Sequence, residues 1–251
     1  MKTLRLLTES FPDDPPLDTA LSRALMLRVA SGDLPETLRL SRPGPSVAFG
    51  KRDVVSPGYL PAVAAARAGG YEAIERLAGG RAAVFHEGTI ALAHTVPDAD
   101  PRSHVDARFE ATAGLLAAAL ARLGVQARVG EVPGEYCPGA HSVNAGGERK
   151  LVGVGQRLVA GGVHVGAVIV VTGADLVKEI LLPVYEALRL EWRPETTGAV
   201  ADEVPAASWD GVCAAVVEEY GRRRRVESTQ LDEETLALAR RLSPEHLSPD
   251  G

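Results

Sequence analysis

From residue 72 to residue 171 the chain is cut into strand-length apolar segments by glycine-containing links, and from Asp175 onward its apolar residues take up helical spacing. That order constrains the fold more than any other feature. Runs of strands followed by runs of helices predict an α+β domain, with an antiparallel or mixed sheet flanked by helices, because a doubly wound parallel sheet needs the two to alternate. The segments read as strands are 72–77, 82–85, 89–96, 125–129, 141–145, 150–159 and 163–171, the last two closed into a hairpin by Ala160-Gly161-Gly162.

The amino-terminal part supplies a helix and two further strands. Asp14 before Pro15 and Pro16 is a helix-start pattern, since Asp caps and Pro is tolerated in the first turn. Leu17, Ala20, Leu21, Ala24, Leu25 and Val29 then recur at helical spacing up to Gly32. Residues 37–41 and 46–49 read as strands around an Arg42-Pro43-Gly44-Pro45 turn, and 60–68 as a short Ala-rich helix. Residues 104–123 form one long predicted helix, with Phe109, Ala113, Leu116, Leu120 and Leu123 on its apolar face and Gly124 as its stop. Three helices are predicted in the tail, at 175–188, 209–220 and 232–242, around a Pro- and acid-rich link at 193–205. The expected division is a catalytic domain over 1–205 and a helical extension over 206–251. The Arg222 to Arg225 cluster reads as a solvated cap that complements a helix dipole.

At 251 residues and 45% hydrophobic positions the chain can bury a substantial core. A net charge of -6 argues against general nucleic-acid binding, which needs a basic surface. Cys137 and Cys213 do not make a disulfide framework, residues 1–7 carry too few apolar residues for a signal peptide, and 163–171 is too short to span a membrane. A cytoplasmic protein with no membrane partner is the expectation. Gly44 to Lys51 fails as a phosphate loop, with five residues between its glycines and Arg52 where Ser or Thr is required. Gly153-x-Gly155 lacks the third glycine of a dinucleotide fold, and six scattered histidines offer no metal site.

Two segments carry possible chemistry. Arg76-Leu77-Ala78-Gly79-Gly80-Arg81 places paired glycines between strands, where main-chain N–H groups can approach a ligand closely; a plain hairpin turn is the alternative. Cys137 lies in the Pro/Gly loop Glu135-Tyr136-Cys137-Pro138-Gly139, which favours exposure and reactivity, whereas Cys213 reads as a core helix residue. Lys150 begins an apolar strand, a position that reads as the exposed end.

The stretch Arg76 to Gly88 resembles the Arg-x-x-Gly-Gly-Gly-x-Val-x-His-x-x-Gly segment of the lipoate–protein ligase family, and Gly147 to Gln156 resembles its Gly-Arg-Lys-x-x-Gly-x-x-Gln segment. Arg42 to Gly50 and His164-x-Gly166 are similar to two further segments of that family, in the family's order. Cys137-Pro138-Gly139 is closest to the octanoyl or lipoyl transferase branch, which passes an acyl chain through a cysteine thioester to a lysine of a carrier domain. The resemblance implies a biotin/lipoate protein ligase type of catalytic domain, with Cys137 as nucleophile and Lys150 as its partner. It also implies substrate-binding roles for Arg76, Gly79, Gly80, Arg81, Ala82, Val84, His86, Gly153, Gly155, Gln156 and His164. Ala82 to Val84, Ile90 to Thr95 and Val168 to Val170 would line an acyl tunnel. Acidic carrier domains, as donor and acceptor, would meet Arg81, Arg149 and Arg157.

No cofactor is expected of a transferase; an ATP-dependent ligase, the alternative, would need ATP and magnesium. The family's third glycine is Arg81 here, and the Asn of its ATP-using members is Thr89, so both positions depart from the nucleotide-binding pattern. A non-catalytic paralogue that binds a carrier or an acyl ligand is the third reading.

Overall fold

The computed structural model describes residues 2–250. In chain order the elements are β1 (Thr3–Leu7), α1 (Pro15–Ser31), β2 (Thr37–Ser41), β3 (Ser46–Phe49), α2 (Lys51–Val54), α3 (Tyr59–Ala68), β4 (Glu72–Glu75), β5 (Ala83–Phe85), β6 (Thr89–Pro97) and α4 (Val105–Arg122). There follow β7 (Ala127–Val129), β8 (Val143–Ala145), β9 (Arg149–Val159), β10 (Gly162–Val170), α5 (Ala174–Ala187), α6 (Val200–Glu203), α7 (Trp209–Gly221), β11 (Arg225–Ser228) and α8 (Glu233–Leu242). The expected α+β class holds, and the sheet is mixed.

Eight strands form the main sheet in the order β11-β1-β2-β6-β10-β9-β8-β7; β1 runs parallel to both its neighbours, and the remaining pairs are antiparallel. A second sheet, β4-β3-β5, stands beside it. The predicted cap of α1 is present: the Asp14 carboxylate accepts from the Leu17 N–H at 3.0 Å, and Gly32 closes the helix at a φ of +86°. Side chains alternate across the long β6–β10–β9 ladder, so its two faces differ. One face carries Ile90, Leu92, Ile169 and Val152 into a core shared with Leu116 and Leu120 of α4 and Val212 and Val216 of α7. The other carries Ala91, Ala93, Gly166 and Val168, too small to fill the space beneath α1 and the second sheet, and a cavity lies there.

Two strands escaped the sequence reading. Residues 3–7 form β1 inside the sheet, and 225–228 form β11 beside it. Both are short; β1 pairs with β2 across the whole of α1 and with β11 near the other end of the chain, so no local signal marks either pairing. Of the arginine cluster, Arg222, Arg223 and Arg225 are exposed, as a solvated cap would be, but Arg224 turns inward, its Nε 2.7 Å from Glu36, whose carboxylate also meets His94 Nε2 at 2.8 Å. Among the described residues no helix is long and apolar enough to cross a membrane.

Residues 206–250 supply Val212, Ala215, Val216 and Tyr220 to the main core, the β11 partner of β1, and α8 against α1. A chain ending at residue 205 is therefore expected to lose cooperative unfolding and near-ultraviolet circular dichroism. A truncated protein with a sharp urea transition would show the tail to be dispensable.

Candidate active site

The loop joining β7 and β8 is organised around one buried carboxylate. Glu135, fully buried, accepts from the Val132 N–H at 3.1 Å, the Gly139 N–H at 3.1 Å and the Ser142 hydroxyl at 2.6 Å, and pairs with Lys150 Nζ at 3.1 Å. Lys150 is 1% exposed, so its placement at an exposed strand end is wrong. The loop folds over the start of β9 and encloses the ammonium, whose other contacts are the carbonyls of Tyr136 at 3.0 Å and Cys137 at 2.8 Å. All three of its hydrogens are thereby committed, and the Tyr136 ring lies 4.9 Å away.

These bonds hold Cys137 in a left-handed conformation, φ +44°, that few non-glycine residues adopt. Such strain costs about 1–3 kcal/mol and persists only where surroundings enforce it. Here the Cys137 N–H donates to the Tyr185 hydroxyl at 2.9 Å, and that hydroxyl donates to the Ala82 carbonyl at 3.1 Å. The result aims the thiol at the paired glycines. The Arg81 N–H lies 3.1 Å from Sγ and Arg76 Nη2 lies 3.6 Å from it. Glycine at position 80 is obligatory: φ is +113°, and a Cβ there would sit 1.8 Å from Arg76 Nη2 and 2.9 Å from Sγ.

Burial is the largest single influence on the Cys137 thiol and pushes it up; the charges of Arg76 and Lys150 and the Arg81 N–H outweigh it, leaving the group below the ordinary thiol range. Cys213 lacks such partners. Burial, reinforced by Asp210, raises it to about 12 against a smaller opposing pull from Arg42. The two cysteines are thus an activated thiol and an inert one.

Beyond Cys137 opens a cavity of about 540 Å³. Its floor is set by register: Ser41, Ala91, Val168 and Gly153 lie on one line across the strands, and Arg39, Ala93, Gly166 and Gly155 on the next. Arg76, Gly79, Gly80, Gly153, Gly155, Gln156 and His164 all line it with Cys137 and Lys150. Other expectations need correction. Ala82 and Val84 point into the core behind the second sheet, leaving Ala83 to line the cavity, because alternate residues of a strand face opposite ways. Ile90 and Val170 are likewise in cores, and of those segments Ala91, Ala93 and Val168 line the space.

His86 is buried away from the cavity, where its Nδ1 accepts the Gly88 N–H at 3.0 Å. Arg81 presents only its backbone to the thiol; its guanidinium meets Asp53 at 3.1 Å. Gln156 is occupied at both ends, by Arg108 Nε and the Val105 carbonyl, each at 2.9 Å. The sequence reading passed over Glu135, Tyr185, Asp18 and Arg39. Glu135 stands two residues before the cysteine and was there to be found; Tyr185 reads as one more apolar position of α5.

With this geometry the comparisons with known proteins agree. Residues 14–189 match the lipoyl protein ligase A/B catalytic domain, and the chain belongs to that family. It is 31% identical over 187 residues to an octanoyl-GcvH:protein N-octanoyltransferase of Geobacillus kaustophilus, covering 74% of this chain and 65% of that protein. It is 34% identical to one of Anoxybacillus flavithermus, over 62% of this chain and 55% of the relative. The match thus spans only about half to two thirds of those relatives' length. In fold the chain resembles a lipoate–protein ligase A bound with ATP, with a TM-score of 0.79, 22% identity and coverage of 98% and 95%. It also resembles the Thermoplasma acidophilum protein described as a putative lipoate protein ligase with bound lipoic acid, with a TM-score of 0.78, 22% identity and coverage of 98% and 96%.

Two outcomes follow from the charges around Sγ and beneath it. A cation favours the thiolate, so Arg76→Gln is expected to raise the midpoint of Cys137 alkylation by roughly one pH unit and slow it at neutral pH, with Cys213 unreacted throughout. An unchanged pH profile would show that Arg76 does not act on the thiol. Lys150→Ala leaves the Glu135 carboxylate buried and unpaired, and is expected to cost about 3–5 kcal/mol in urea unfolding; wild-type stability would contradict the buried pair.

Proposed function

We propose that the protein transfers an octanoyl or lipoyl chain from a thioester or carrier donor, through Cys137, to a lysine of a lipoyl-type carrier domain. The observation that carries this reading is a thiol lowered by Arg76 and Lys150 at one end of a cavity floored by Ala91, Ala93, Gly153, Gly155, Gly166 and Val168. In the first half-reaction the Cys137 thiolate attacks the donor carbonyl; the acyl–sulfur bond to Cys137 forms as the bond to the donor breaks, and the donor thiolate or amine leaves with a proton from solvent. In the second, an unprotonated carrier lysine attacks the same carbonyl, an amide forms, a proton is released to solvent, and the Cys137 thiolate departs.

The Arg81 N–H and the Arg76 guanidinium, which stabilise the thiolate, are positioned to stabilise the oxyanion that succeeds it. Lys150, with its hydrogens committed, acts on the sulfur through its charge. At roughly 0.8 kcal/mol per buried methylene, an eight-carbon chain contributes several kcal/mol of binding along the floor.

ATP-dependent activation is less well supported by the residues present. Where the ATP-using pattern has glycine and asparagine, this chain has Arg81, held by Asp53, and Thr89, whose hydroxyl donates to the His86 carbonyl at 2.9 Å. Neither position offers a nucleotide the contact that pattern supplies. For carrier docking, Arg81 and Arg149 are already paired, with Asp53 and with Glu203 at 2.5 Å, which leaves Arg157 as the charge open to an acidic partner. Its steering would be screened beyond a Debye length, about 8 Å at physiological salt, and would weaken as salt rises.

Incubation with an octanoyl thioester is expected to add one octanoyl mass to the peptide containing Cys137, removable by hydroxylamine. Cys137→Ser should lose both the adduct and carrier modification, since an alkoxide forms far less readily than a thiolate at neutral pH. Carrier modification by Cys137→Ala supplied with octanoate, ATP and magnesium would replace the transferase reading with the ligase one.

A further inference from the structure

The segment between β3 and α3, which contains the one-turn helix α2, is held closely at both of its ends. A Cβ on Gly50 would fall 2.0 Å from the Gly80 carbonyl oxygen, and a Cβ on Gly58 would fall 2.0 Å from that of Ala187, so only glycine fits at either pin. Asp53 caps the helix by accepting the Gly50 N–H at 3.0 Å; it is fully buried and paired with Arg81, which also donates to the Arg52 carbonyl at 3.2 Å. With Asp53 taken, nothing on α2 offsets Lys51 and Arg52, which are exposed and make no ion pair among the described residues. Val55, just after the helix, is 82% exposed, where no other large aliphatic side chain among the described residues exceeds 50%. Pro57 and Leu60 are exposed after it. A lone apolar surface residue means little. A rigid segment that presents two free cations and an apolar side chain to solvent beside a reactive thiol is a different matter.

Two routes of contact tie this segment to the thiol. Gly80, against which Gly50 packs, would bring a Cβ within 2.9 Å of Cys137 Sγ; Arg81, whose guanidinium holds the Arg52 carbonyl, has its N–H 3.1 Å from the same sulfur. An acceptor lysine carries its amine five bonds from Cα, about 6 Å at roughly 1.2 Å per bond, and attacks from about 3 Å. The carrier's backbone therefore comes within about 10 Å of the thioester carbonyl, and its surface covers the rim of the seam. On that rim Gly79, Pro138 and Ala140 are exposed and uncharged, so the exposed charge comes from Lys51 and Arg52. Arg157 is farther off. It lies four residues along β9, roughly 13 Å of strand, from Gly153, where a Cβ would be 3.8 Å from Lys150 Nζ.

We propose that Lys51, Arg52 and Val55 form the docking surface for the acceptor carrier domain: the two cations meet carboxylates that flank the carrier's target lysine, and Val55 is covered by an apolar residue of the same domain. The inference rests on the reading of Cys137 as the residue that holds the acyl chain, and it names the surface that the second substrate uses. Charge selects the partner, since two cations without a local carboxylate favour an acidic surface and repel a basic one. Rigidity suits the same use. A segment pinned at both ends loses little freedom when a partner covers it.

The test reads association apart from chemistry. Surface plasmon resonance of the full chain with an apo lipoyl-type carrier domain of net negative charge is expected to show an association rate about tenfold lower for the Lys51→Glu/Arg52→Glu double variant at low salt, a gap that closes as salt rises. Val55→Asp should instead quicken dissociation. Changing the carrier's lysine-flanking carboxylates to amides should slow association with the wild-type chain and speed it with the double variant, the coupling that a direct contact requires. All three side chains are exposed, so these variants keep the fold. No saturable association with the wild-type chain overturns the proposal, as does a double variant that associates at the wild-type rate, or an amide carrier that slows both chains equally. Failure of Cys137 to become acylated by a small octanoyl thioester would sink the transferase reading and leave these association rates standing, so the two failures are distinguishable.

Discussion

Everything chemical in the protein depends on one buried ion pair, Glu135 with Lys150. Two charges removed from water are costly, and a pair alone does not repay the loss; what makes this one tenable is that every lone pair and hydrogen in reach is used. The carboxylate gathers the N–H groups of Val132 and Gly139 and the Ser142 hydroxyl, so it serves as the interior template of a loop that has no regular structure of its own. The ammonium takes the Tyr136 and Cys137 carbonyls, which fixes the backbone on both sides of the cysteine. A left-handed Cys137 follows from that constraint, and its sulfur then has one direction in which to point.

That direction meets the second constraint, the glycine pair before β5. Gly80 adopts a φ closed to other residues and lets the Arg76 side chain lie against the sulfur; Gly50 passes so near that a Cβ on it would fall 2.0 Å from the Gly80 carbonyl. The strands that carry these groups belong to different sheets: Arg76 and Arg81 flank the small sheet, whereas Lys150 opens a strand of the large one. The site is therefore a seam. Tyr185 of α5, bonded to Cys137 and Ala82 together, stitches the seam from behind. The cavity owes its existence to the same arrangement, since the face of β6, β9 and β10 that meets the seam is built from alanine and glycine where the opposite face is built from leucine, isoleucine and valine.

The sequence by itself determined the fold class and nearly every element, because its signals are local: Asp14 with its prolines, the 3.6-residue spacing of Leu116 and Leu120, the glycines that end each strand. It also determined which segments hold the chemistry, since Arg76, Gly79, Gly80, Cys137 and Lys150 stand in a recognisable pattern. What only the tertiary structure decided was the state of those groups and the company they keep. Lys150 looks exposed at a strand end and is buried, because a loop a few residues upstream in sequence folds over it. Val84 and His86 sit inside the right segment and face the wrong way, because alternation along a strand is fixed by pairing register rather than by composition. β11 was invisible since its partner β1 lies at the other end of the chain, and His164 came to line the cavity only when β6 and β9 paired with β10 on either side. Periodicity and turns are written in near neighbours; burial, charge pairing and the shape of a cavity are sums over residues that meet only when the chain has folded.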